Sequence, residues 1–180
     1  MNMVRVEVDS IRVNLMSQDR VVILREVDSE RYLPIWIGTF EAEAIRIELS
    51  GAPVPRPLTH DLLKSVIIQM GGEVEHIVVN ELRNDVYYAT IRIKMGDKTL
   101  DIDSRPSDSI ALAVRLKVPI YVADSVMDRA AIRPEEEVTS TSEAEATAKK
   151  QPGPAADEGD DDLSLFSDFL ESLDLDDLDE

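Results

Sequence analysis

The chain has no cysteine in its 180 residues, which excludes disulfides and thiolate zinc sites and agrees with an intracellular, cytoplasmic address. Long hydrophobic runs are missing too. No stretch approaches the roughly 18 apolar residues of a membrane span, so no membrane partner is expected. The first ten residues alternate apolar and polar side chains around Arg5, Glu7 and Asp9, which is a strand pattern and not a signal-peptide core. There is no glycine-rich phosphate loop and no His-Glu-x-x-His pattern, and no Ser, His and Asp spacing carries meaning by itself. A basic excess is also lacking. The formal charge is -18, of which 17 acidic residues and two lysines after Arg133 contribute -15. The first 133 residues are left near balance, without a global basic footprint for nucleic acid.

What the chain does contain is one pattern twice, a short strand running into an acidic helix start. With an offset of 67 positions and no gap, Leu33, Ile35, Glu41, Ala44, Ile45, Ile47 and Leu49 fall on Leu100, Ile102, Asp108, Ala111, Leu112, Val114 and Leu116. Apolar meets apolar, and acid meets acid. Two such junctions related by a local two-fold would place Glu41 and Asp108 in matching first turns, where carboxylates either bind metal or complement helix dipoles.

Strands are expected at 4–13, 20–27 and 31–37, followed by a helix at 40–49 with Thr39 as N-cap and Gly51 as its stop. A proline-rich link, 53–57, cannot continue that helix. The next helix runs from a Thr59 cap to Gly71-Gly72, with Leu62, Leu63, Val66, Ile67 and Met70 as its core face. Strands at 73–82, 85–95 and 98–103 repeat the three-strand unit. The helix at 106–117 is apolar around most of its circumference and is therefore expected to be buried. A short strand at 119–122 and a helical turn or two at 125–131 close a domain of residues 1–133. The fold class is α+β, a duplicated three-strand-plus-helix unit with an intervening helix. Residues 134–162 read as a disordered acidic linker, because they carry too few aliphatic residues to offset ordering entropy. Residues 163–180 form an acidic amphipathic segment, with Leu163, Phe166, Leu170 and Leu173 on one face, that suits docking to a protein partner.

Leu33-Pro-Ile-Trp-Ile-Gly with Glu41-Ala-Glu-Ala-Ile, then Pro55-Arg-Pro-Leu-Thr-His-Asp-Leu, then Ile102-Asp-Ser-Arg-Pro-Ser-Asp-Ser-Ile-Ala-Leu-Ala, together resemble the bifunctional nuclease family over about residues 3–133. The resemblance implies an α+β domain in a wedge-shaped homodimer, with a groove at the thick end as active site and nuclease activity on DNA and RNA. Members often carry a small helical-hairpin module after this domain. Here the acidic tail stands in its place.

Hydrolysis of a phosphodiester needs an activated water and charge stabilisation at phosphate, commonly from divalent metals held by carboxylates. Hard oxygen ligands suit magnesium or manganese, and Glu41, Asp103 and Asp108 are the candidate ligands and catalytic acids. Glu41 and Glu43 diverge around a helix and are not expected to chelate one ion together. Arg56 and Arg105 are candidates for clamping phosphate, against the alternative of surface or interface salt bridges. His60 lies at a helix start, where the dipole disfavours imidazolium; it reads as a neutral base or ligand, or as an exposed histidine without a task. Trp36 and Phe40 flank Gly38 and could stack on a base, but are expected in the core. Two functions follow: a metal-dependent nuclease of low sequence specificity, or a non-catalytic dimeric module that recruits a partner through its tail.

Overall fold

The computed structural model describes residues 2–13 and 19–133. The expectations for 134–162 and 163–180 lie outside the described residues. Seven strands and four helices make an α+β fold: β1 Met3–Val13, β2 Arg20–Glu26, β3 Tyr32–Ile37, α1 Thr39–Ser50, α2 Thr59–Gln69, β4 Glu73–Arg83, β5 Val86–Met95, β6 Lys98–Ser104, α3 Pro106–Leu116, β7 Ile120–Ala123 and α4 Asp124–Ala130.

The strands form one mixed sheet in the order β3-β2-β1-β7-β4-β5-β6. Each copy of the repeated unit is thus an antiparallel three-strand meander, and the last strand joins the two. The four residues of β7 run antiparallel to β1 and parallel to β4. β1 and β4 therefore point in opposite directions, as a local two-fold normal to the sheet at β7 requires. A strand this short reads in sequence as a terminal appendage. Its central place follows from burial on both neighbours: Ile120 and Val122 join the same core as Val6, Ile77 and Val79.

That core lies between the sheet and the helices. α1 and α3 pack together, α3 covers β4 and β5, and α2 lies on α3. As its all-round apolar pattern predicts, α3 is buried, with Ile110, Ala111, Leu112 and Ala113 sealed from solvent. The β4–β5 hairpin turns at Asn84 and Asp85, both with positive φ, the pairing a two-residue turn needs to match strand twist.

Three local expectations are corrected. The N-cap residues are Gly38 and Leu58, not Thr39 and Thr59, and the Leu58 amide donates instead to the Asp61 carboxylate at 2.8 Å. Trp36 and Phe40 are not core residues: Trp36 is 51% exposed and Phe40 87%. Ile35 and Leu33 take the core side of β3, so the alternation of a strand turns Trp36 away, while Phe40 lies in the outward part of the first turn of α1. Finally, the apolar stripe of α2 faces outward. Only Ile67 packs on the core, and Leu62, Leu63, Val66 and Met70 are exposed. Helical periodicity shows that a face exists; it does not show whether that face is covered by the same chain.

Candidate functional site

α1 and α3 begin in equivalent ways. Gly38 and Arg105 are the N-cap residues, Thr39 and Pro106 the first helical residues, and Glu41 and Asp108 the third. Both N-cap carbonyls accept the first helical hydrogen bond, Gly38 from the Ala42 amide and Arg105 from the Ser109 amide. The 67-residue offset thus holds at atomic detail, and packing of α1 on α3 brings the two acidic first turns together.

The copies differ at the N-cap itself. In α1 it is glycine, and the Glu41 carboxylate folds back over it so closely that a Cβ at Gly38 would collide with it. In α3 it is Arg105, whose side chain spans both helix starts. Its Nε donates to Asp108 Oδ2 at 2.7 Å, and its Nη2 reaches Asp108 Oδ1 at 3.2 Å and Glu41 Oε1 at 2.9 Å. One guanidinium so bridges both carboxylates, and the trio keeps a net charge of -1. Its Nη1 has no partner among the described residues, and the side chain is 66% exposed.

His60, near the start of α2, completes the group. It is not the exposed histidine that was one reading of the sequence, for only 7% of it is accessible, and its Nε2 lies 3.2 Å from Asp108 Oδ1. An ionised carboxylate only accepts hydrogen bonds, so Nε2 carries the proton. The other nitrogen, Nδ1, is buried without a partner. Burial pushes the Asp108 carboxyl up, but the hydrogen bonds from Arg105 and His60 outweigh it and hold Asp108 below the usual carboxylate range.

Glu41, His60, Arg105 and Asp108 are therefore brought together; Asp103 and Arg56 are not. Asp103 lies on β6 opposite Thr90, and strand alternation turns it away from Ser104, whose hydroxyl bonds Ser109 of α3. Arg56 is exposed in the link before α2. Glu43 pairs with Arg46 on the surface of α1, separate from Glu41. The expected magnesium or manganese set does not fit this arrangement. Among the described residues no three His, Asp or Glu side chains gather as a ligand group, and a guanidinium already pairs with both Glu41 and Asp108.

Behind this group lies a second one that the sequence did not reveal. Arg115 is almost wholly buried in α3, where it donates to Asp61 Oδ1 at 2.7 Å, to the Ala111 carbonyl at 2.8 Å and to the Ala44 carbonyl at 3.0 Å. It ties α1, α2 and α3 into one frame under the helix starts. Burial pushes the Asp61 carboxyl up, yet the Leu58 amide and Arg115 hold it below its ordinary range. A lone arginine in an otherwise apolar helix was the available signal. Helix-dipole complementarity alone also accounts for it in sequence, which hid the pairing.

An α+β domain built from two meanders, with a carboxylate, guanidinium and imidazole group where its helix starts meet, is the class of protein that these features define. The chain belongs to the bifunctional nuclease family, whose domain matches residues 22–135. It is 37% identical to the Mycobacterium tuberculosis protein Rv1829 over 172 residues, 96% of each chain. It is also 35% identical to Bifunctional nuclease 2 of Oryza sativa subsp. japonica and 30% identical to Bifunctional nuclease 2 of Arabidopsis thaliana, each over 112 residues. Those matches cover 61% of this chain and 34% of each plant protein.

Proposed function

We propose that the protein is a nuclease of low sequence specificity that hydrolyses phosphodiesters of DNA and RNA at the Arg105 junction, and that it works as a homodimer. The observation that carries this reading is the placement of Arg105. Its Nε and Nη2 are fixed by two carboxylates while Nη1 faces solvent, a pre-oriented fork for a phosphate oxygen. Such a fork stabilises charge that grows on the phosphate as water attacks. Phosphate engaging Nη1 and Nη2 competes with Glu41 for the guanidinium, and the released Glu41 carboxylate takes the proton of the attacking water. As the new P–O bond forms the ester P–O bond breaks, the departing oxygen takes a proton from solvent water, and Glu41 then returns its own proton to solvent. Asp108, kept ionised, and His60 behind it are positioning residues that hold Arg105 in place. Family membership and the plant relatives named bifunctional nucleases support the same chemistry. Because the carboxylates do not form a metal-ligand set, no step is routed through a metal.

A second copy of the chain suits the exposed apolar face of α2. Leu62, Leu63, Val66 and Met70 of α2 are exposed, and so are Leu100 and Ile102 on the edge strand β6. Exposed apolar surface of this kind is a recognised mark of an interface.

Purified protein should cleave labelled DNA and RNA, with activity persisting in chelator. Arg105→Ala and Glu41→Gln should each lose on the order of 100-fold in rate, the scale of one charge-stabilising or acid–base group. Asp103→Asn should retain activity. Absence of cleavage by the unaltered protein in chelator, magnesium and manganese alike would reject the nuclease reading. Strict dependence on a metal would reject the metal-free account of the Arg105 junction.

A further inference from the structure

An 87% exposed phenyl ring stands on the turn that delivers Glu41. Phe40 immediately precedes Glu41 in the first turn of α1. The phosphodiester reading does not use it. We infer that Phe40 is a base-stacking subsite, and that the substrate of this site is single-stranded nucleic acid. This rests on the proposed reading of the Arg105 junction.

The inference follows from adjacency and chemistry. The Cα atoms of Phe40 and Glu41 are about 3.8 Å apart, as any trans-linked neighbours are, and Glu41 touches the guanidinium proposed to hold phosphate. A nucleotide with its phosphate on Arg105 therefore has the start of α1 beside its sugar and base. The side chain there is a bare phenyl ring, which offers no hydrogen bond and stacks on any base. This matches an enzyme of low sequence specificity. It does not suit duplex substrate, whose base faces are already covered by their neighbours.

The test uses the full-length protein with three probes: a deoxyadenosine decamer, an abasic decamer with the same phosphates, and a duplex of equal length. The base-bearing single strand should bind roughly 5- to 100-fold more tightly than the abasic strand, the range expected for one stacked base. Phe40→Ala should abolish that difference, and Phe40→Tyr should keep it. Equal affinity for base-bearing and abasic strands, or preference for the duplex, would overturn the inference while leaving the phosphate site standing. If neither single strand binds, both readings fall. If Phe40→Ala instead converts a dimer to a monomer, the ring belongs to an interface between copies and the subsite is rejected.

Discussion

Gly38 and Arg105 occupy the same place in the two copies, and their difference turns a symmetric pair of helix starts into an asymmetric site. At Gly38 the backbone has φ -68, which any residue adopts, so what an added Cβ would meet is only the Glu41 carboxylate above it, the movable end of a flexible side chain. Gly38→Ala should consequently leave the fold intact while displacing Glu41 from Arg105. A displacement of about 1 Å at a reacting group costs on the order of 100-fold in rate, so a cleavage assay with unchanged circular dichroism checks it; full activity would show that Glu41 is not the proton acceptor. Asp61 is the opposite case, a residue whose loss is structural. Asp61→Ala leaves Arg115 buried without its counter-charge, and breaking such a pair costs about 3–5 kcal/mol. Urea unfolding should show a loss of that order. The pH dependence has a defined sign. Asp61 and Asp108 are both held below their ordinary value of 3.8, so the stability they contribute is complete above that pH and is lost as pH falls through the lowered native values. Asp61→Asn should flatten this acid limb.

Among the elements, α2 carries the widest gap between local pattern and final place. Its buried side holds His60 and Ile67, while most of its apolar stripe remains outside. Substituting Leu62 and Met70 together by Glu should convert the proposed dimer to a monomer, as read by light scattering, without loss of helix content, because neither side chain is part of the core. A variant that stays dimeric would place the interface elsewhere. α3 shows the contrary relation. Nothing on it except Arg115, its first turn and its C-terminal residues departs from an apolar cylinder, and its burial follows from composition alone.

For the whole molecule, charge is divided unequally between a near-neutral domain and the residues after Arg133. A chain ending at Arg133 sheds -15 of the -18, and with it most of the long-range repulsion of a polyanion. We expect such a chain to remain dimeric and to bind oligonucleotides more tightly at low salt, with the gain vanishing as the Debye length contracts below about 10 Å near 0.1 M. Unchanged binding at all salt concentrations would assign those residues to a different task, such as docking through Phe166 and Leu170.

The duplication, the order of strands and helices, the burial of α3 and the equivalence of Glu41 with Asp108 were legible in the sequence. Each depends on periodicity or on like residues at a constant offset, and both are local properties. The tertiary structure decided the rest. The central place of β7 depends on which neighbours bury Ile120 and Val122. The reach of Arg105 to Glu41, of His60 to Asp108 and of Arg115 to Asp61 joins residues 64, 48 and 54 positions apart. Side chains of opposite charge far apart in sequence leave no mark of which will meet. The packing of α1, α2 and α3 selects those pairs, and it also turns Asp103 and Phe40 away from the places their neighbours in sequence suggested.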